Sequence, residues 1–323
     1  MRVTDAYPDS PAARDGWILS RRSARPALDP RRPYAFLLEQ EPDESGRLRT
    51  CATVFLTNRE CPWRCLMCDL WQNTLTDSVP GGAIPAQIDF ALERLGPADQ
   101  IKLYNSGSLF DPRAIPVEDH PAIAERVRGF ERVIVECHPA LVGDSAVRFQ
   151  DRLGGRLEVA MGLETAHPQV LEKLNKRMTL DQFAQAAEFL RRQDIALRVF
   201  ILVKPPFIVD EAEALQWARR SLDFTFDCGA GAASLIPTRG GNGAMEALAA
   251  RSQFAPPRME TLEAAFDYGL GLRRGRVFAD LWDLEKFSKC AACFAPRRER
   301  LERMNLSQTM GPSVACAQCG SEQ

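Results

Sequence analysis

Cys61, Cys65 and Cys68 stand within eight residues in the stretch RECPWRCLMCDLW, and Cys290, Cys293, Cys316 and Cys319 form two CxxC pairs near the end of the sequence. Thiolates at such spacings are soft metal ligands. Four of them close a tetrahedral zinc site or hold a complete 4Fe-4S cubane, and the tail cysteines fit either one. Three on a single loop hold only three corners of a cubane and leave one iron open. The CxxxCxxC spacing also differs from the ferredoxin run CxxCxxC, and no fourth cysteine followed by proline comes next. A distorted three-cysteine zinc site is the competing reading. Cys51, Cys137 and Cys228 lie in apolar contexts and read as small buried residues without a metal.

The chain around these motifs has ordinary globular composition, with 323 residues, 45% hydrophobic and 26% charged. A net charge of -2 and a pI near 6.1 exclude a global cationic field, so any nucleic-acid contact has to be local. No window holds eighteen apolar residues and the N-terminus lacks a signal-peptide stretch, so the expectation is a cytoplasmic protein without membrane contact. Ten cysteines in a reducing compartment are poor disulfide candidates, which favours metal.

The elements that must position the motifs follow from periodicity. PYAFLLEQ and RLRTCATVFLT predict two strands joined by the EPDESG turn, and CxxxCxxC follows the second. Five further apolar runs, DQIKLYN, ERVIVEC, RLEVAMGLE, IALRVFILV and GAASLIP, alternate with helical stretches. Strand then helix, about six times, predicts a parallel α/β fold of partial (β/α)6 TIM type, with chemistry at the carboxyl ends of the strands. The expected organisation is an N-terminal arm over 1–32, loosely held, a barrel over 33–279 and a four-cysteine metal unit over 280–323.

Strand, CxxxCxxC loop and α/β barrel together resemble the radical S-adenosylmethionine (radical SAM) enzymes. The resemblance implies a 4Fe-4S cluster on Cys61, Cys65 and Cys68 whose open iron binds the amino and carboxylate groups of S-adenosylmethionine (SAM). It implies further contacts to that cofactor. Met67 stands where the superfamily usually has an aromatic residue against adenine. Ser106, Gly107 and Ser108 in YNSGSLFDP occupy its glycine-rich segment, and Glu136 ends the strand VEC. In GLETAHPQVLEKLNKRMT, Glu164 is implied for the ribose hydroxyls and Lys176 for the methionine carboxylate, with Arg177 as the alternative donor. Arg198 and Lys204 are implied anion or substrate contacts, and Arg239 and Asn242 polar contacts of a Gly-rich loop; Phe200 replaces an acidic contact found in relatives. His120, His138 and His167 read as structural or surface residues.

The whole pattern is similar to the branch of oxygen-independent coproporphyrinogen oxidase and the elongator catalytic subunit, and most of all to the archaeosine synthase radical SAM subunit and its bacterial relatives. This implies radical chemistry on a modified nucleoside, free or in tRNA, a reductant such as flavodoxin or ferredoxin, and a partner enzyme. The tail thiols would hold zinc or a second 4Fe-4S cluster. Alternatives are radical modification of a small metabolite, lipid or peptide, or, without enzymatic activity, an iron-sulfur electron carrier or zinc-dependent binding module. For tRNA, the evident basic clusters are the N-terminal RRSAR and RR, the RRGR at Arg273 to Arg276, and Arg297, Arg298, Arg300 and Arg303 in the tail.

Overall fold

Strands β1 (Ala35–Pro42) and β2 (Leu48–Phe55) pair antiparallel across a turn in which the Asp43 carboxylate accepts from the Ser45 and Arg47 N–H groups at 2.9 and 3.0 Å. They begin the sheet of a computed structural model that describes residues 6–319. The remaining strands, β3 (Gln100–Tyr104), β4 (Arg132–Glu136), β5 (Arg156–Glu164), β6 (Ala196–Val203), β7 (Ala232–Pro237) and β8 (Arg276–Ala279), add in sequence order, each parallel to the one before. Each central run is largely buried on both faces because one face lines the barrel and the other meets helices.

Ten helices accompany the sheet among the described residues: α1 (Pro11–Leu19), α2 (Ala83–Leu92), α3 (His120–Val127), α4 (Asp144–Gln150), α5 (Pro168–Lys173), α6 (Leu180–Arg192), α7 (Glu211–Asp227), α8 (Ala244–Ala249), α9 (Met259–Leu272) and α10 (Ala291–Ser307). α6 illustrates the local logic. Thr179 and Gln182 form a capping box, and Phe183, Ala186, Ala187 and Leu190 recur at helical spacing on the buried face. None of the described helices is long and apolar enough to cross a membrane.

The six expected parallel strands are present as β2 to β7, and β8 is an addition. Its apolar stretch is only Val277 to Ala279, too short to stand out behind RRGR. The Arg276 side chain of that basic cluster is buried. Beyond β8 two side-chain amides continue the hydrogen bonding: Gln308 Oε1 and Nε2 meet the Val277 N–H and C=O at 2.7 and 2.8 Å, and Asn305 Oδ1 and Nδ2 meet those of Ala279 at 2.8 and 2.9 Å.

Of the expected N-terminal arm, residues 1–5 lie outside the described residues, and α1 is packed rather than loosely held. Trp17 and Ile18 of α1 are buried in a cluster with Leu66, Met245 and Phe254, and buried Arg14 pairs with Glu172 at 2.6 Å. Polar composition disguised it, because its few aromatic and apolar residues carry the packing.

Near the amino ends of the parallel strands, away from the cysteine loop, lies a network of charges. Arg198 bonds Glu158 at 2.6 Å and Glu41 at 2.8 Å, and Arg276 bonds Glu158 at 3.0 Å. Arg132 pairs with Glu158, and Lys102 with Glu41. Residues from β1, β3, β4, β5, β6 and β8 can meet in this way only inside the barrel. Burial pushes the Glu158 carboxyl up, but the three guanidiniums outweigh it and hold it at about 2.

Candidate functional site

The loop that leaves β2 carries Cys61, Cys65 and Cys68, and other strand ends grip it. Leu66 N–H donates to Leu174 C=O at 2.9 Å, and Asn175 Nδ2 donates to Arg64 C=O at 2.8 Å. Asn242 Nδ2 donates to the carbonyls of Leu66 and Cys68 at 2.8 and 3.1 Å. Trp63 stacks on His138 with centroids 3.6 Å apart. His138 Nδ1 accepts from Ala140 N–H and Nε2 donates to Lys176 C=O, both at 3.1 Å. Burial, and then the Lys176 charge, hold this imidazole neutral, with its pKa at about 3.

Lys176 and Glu164 form a buried ion pair at 2.5 Å beside the thiols. Gly162 lies beneath the pair, and a Cβ there would overlap both Glu164 Oε1 and Lys176 Nζ. Burial raises the Cys61 thiol and pushes Cys65 up to about 12, with the Lys176 ammonium acting against it in both. Left-handed backbone at Ser106, Glu164, Asn175 and Arg177, with φ of 54, 66, 59 and 58°, concentrates strain around this one place.

The segment after β3 closes the site. Gly107 abuts the loop, where an added Cβ would sit 3.2 Å from Cys61 Cβ. Glu136, expected to meet a cofactor, instead holds that segment: its carboxylate accepts from Asn105 and Ser106 N–H at 2.6 and 2.8 Å. Burial outweighs these donors and brings its pKa up to about 7. Asn105 is fully buried, yet neither its side-chain oxygen nor its nitrogen has a partner. A buried amide left so is costly unless something further binds it. Sequence reasoning passed over Asn105, although the preceding strand end marked its position.

Ser108 and Arg198, also expected at the cofactor, are committed elsewhere. Ser108 donates to Cys137 Sγ at 3.3 Å in the core, and Arg198 is saturated by Glu41 and Glu158 in the barrel. Lys204 pairs with Glu211 at 2.5 Å, and Arg239 with Asp280 at 2.7 Å. Phe200 packs against Tyr104. Met67 packs beside Phe207 against the two apolar clusters that flank the loop. His167 starts α5 with its ring against Trp217, and His120 packs on Phe110 and Phe149. Cys51 and Cys137 are buried as expected.

The tail thiols form a second and tighter site. Cys290 and Cys316 Sγ are 3.8 Å apart and Cys293 and Cys319 Sγ 3.7 Å apart, and all four lie within 4.8 Å of one another. Four sulfurs on one tetrahedral zinc, at about 2.3 Å each, lie about 3.8 Å from one another. Among the described residues this is the group gathered for a single ion.

No family model matches the chain. An uncharacterised protein of Methanocaldococcus jannaschii is 24% identical over 249 residues, which cover 72% of this chain and 68% of that protein. The archaeosine synthase subunit beta of Methanosarcina acetivorans is 26% identical over 183 residues. That match covers 53% of each chain, so the present chain spans about half of that relative. Among solved structures, Elp3 of Methanocaldococcus infernus superposes with a TM-score of 0.50 at 14% identity, over 69% of this chain and 59% of that one. The chain shares the barrel fold of that structure. A barrel of this kind explains why the three-cysteine loop, the 105–107 segment and the Glu164–Lys176 pair meet at the carboxyl ends of different strands.

Proposed function

We propose that this chain is a radical SAM enzyme in which Cys61, Cys65 and Cys68 hold a 4Fe-4S cluster with one open iron, and Asn105, Gly107, Glu164 and Lys176 receive SAM. One observation carries the reading: three thiols, a buried ammonium and a fully buried, unpartnered amide converge on a single spot. When bound, cluster and cofactor together supply reductive cleavage to methionine and a 5'-deoxyadenosyl radical that takes hydrogen from the substrate. The chain's own residues bind and orient. Glu164 fixes the Lys176 ammonium, which would offer its charge to the methionine carboxylate, and the same carboxylate would accept from the ribose hydroxyls. Glu136 holds the backbone of residues 105–106 in position. The rings of Tyr34, Phe55 and Tyr104 pack in a row at the same strand ends.

The proposed substrate is a modified nucleoside, free or in tRNA, on the strength of the similarity to a protein named archaeosine synthase subunit beta. That name also supports a partner subunit, and a flavodoxin or ferredoxin is the proposed reductant. In the tail, thiol spacings of 3.7 and 3.8 Å support one zinc over a second cubane, whose four irons hold their thiolates further apart.

Anaerobic reconstitution tests the reading. Its spectrum should change on adding SAM, and dithionite should release 5'-deoxyadenosine. Stimulation of that release by the RNA fraction of a cell extract is expected; stimulation by the small-molecule fraction alone would remove the tRNA substrate.

A further inference from the structure

A nucleoside substrate that arrives on a phosphate backbone needs cationic ground, and the buried or paired arginines of the RRGR and tail clusters expected from the sequence do not provide it. Arg276 is buried in the barrel network. Arg297 is buried against Glu260 and Glu263, and Arg300 against Asp267. Arg298 and Arg303 pair with Glu302 and Glu299 on their own helix.

Arg25 of the N-terminal RRSAR cluster instead converges with three other arginines beside the cysteine loop. Arg25, Arg59, Arg64 and Arg113 line a cavity of about 310 Å³ together with Glu60, Pro62 and Thr76. Four separate stretches of chain meet there, and Arg59 and Arg64 bracket Cys61. One carboxylate serves the group: Glu60 takes Arg25, Arg64 at 3.1 Å and, from outside the lining, Arg22 at 2.7 Å. Arg25 Nη1 remains buried without a partner. Arg59 makes no ion pair or side-chain hydrogen bond among the described residues, and Arg113 reaches only Asp111, at 3.4 Å. Bringing four guanidiniums around one cavity costs repulsion that a bound anion would relieve. Guanidinium forks match phosphate oxygens, and a concavity suits a phosphate better than the broad acidic face of a protein.

We infer that this cavity binds a phosphate group of the substrate beside the cluster loop. The inference rests on the nucleoside reading and sharpens it. The phosphate belongs either to an RNA strand whose neighbouring nucleotide enters the barrel or to a free nucleotide.

The test is binding by the full-length, metal-reconstituted chain, measured without turnover, so that its failure is separable from failure of the radical chemistry, which 5'-deoxyadenosine reports. The probes are a fluorescein-labelled tRNA transcript and guanosine 5'-monophosphate. The double variant Arg59→Gln/Arg113→Gln alters side chains with at most one weak partner and should keep its metal content. It should bind tRNA roughly tenfold more weakly at ~0.1 M salt, with the log–log salt slope reduced by about one to two. The control Arg298→Gln/Arg303→Gln removes equal charge from the exposed face of α10 and should bind like the unsubstituted chain. If tRNA does not bind but guanosine 5'-monophosphate does, and the first variant loses it, the phosphate comes from a free nucleotide. Equal weakening in both variants, unchanged binding in the first, or no binding of either probe would overturn the site. So would a defect confined to electron uptake from reduced flavodoxin, which would make the cavity a docking point for the donor.

Discussion

Two groups of thiols in this chain have been given opposite surroundings. The tail four are packed around a single point, with sulfurs 3.7 and 3.8 Å apart, Cys290 capping α10 and Cys293 in its first turn. The loop three are surrounded by a buried ammonium–carboxylate pair and an amide without a hydrogen-bond partner. A closed ligand set stabilises local structure, whereas an open one keeps a coordination position for chemistry. The difference teaches that cysteine number sets what a site can hold, while the neighbours decide whether it reacts.

The sharpest way to break this contrast is to remove the loop thiols. Cys61→Ala/Cys65→Ala/Cys68→Ala should abolish 5'-deoxyadenosine formation and the iron absorbance, and any remaining cofactor cleavage would end the assignment. In that same variant, metal analysis should find about one zinc per chain and no iron. Four irons there would make the tail a second cluster and erase the distinction. Replacing Cys290 and Cys293 with Ser should release the zinc and lower the melting temperature while the iron absorbance persists, because metal ligation and local folding are coupled.

Smaller changes test the neighbours. Lys176→Ala removes a charge from the loop site alone. Affinity for SAM should fall about 10- to 100-fold, as expected for a lost charged hydrogen bond, with zinc content unchanged. Gly162→Ala should part the Lys176–Glu164 pair at a cost of about 1–3 kcal/mol, read as weaker SAM binding and a lower melting temperature. The smallest effect concerns acid. His138 is held neutral in the folded chain, with a pKa of about 3 against an ordinary 6.5, so the unfolded chain binds the extra proton. Its contribution to stability is present above pH 6.5 and is lost as pH falls towards 3. His138→Phe keeps a ring against Trp63, and the loss of urea stability between pH 7 and pH 4 should be smaller in that variant.

Much of this was legible in the sequence, because its signals are local. Apolar runs of strand length gave β2 to β7, and cysteine spacing marked both thiol sites before any contact was known. What stayed hidden depends on partners far along the chain. Arg198 sits near the start of an apolar strand like a ligand contact, and only the meeting of β1, β5 and β6 reveals that Glu41 and Glu158 consume it. Arg297 and Arg300 look solvated on a charged helix until α9 supplies their carboxylates. Asn105 carries no compositional signal at all, since being unpartnered is a property of the folded surroundings.

The side-chain amides of Asn305 and Gln308 lie along the last strand. An open sheet ends in a row of bare peptide groups, which invites pairing with another chain and, from there, aggregation. Here two side chains occupy part of that row, and they sit at the far end of the helix that Cys290 and Cys293 begin. Stripping metal from the tail would therefore loosen one end of a guard rail. The first sign of zinc loss in stored protein should be turbidity that grows with concentration, ahead of any loss of secondary structure.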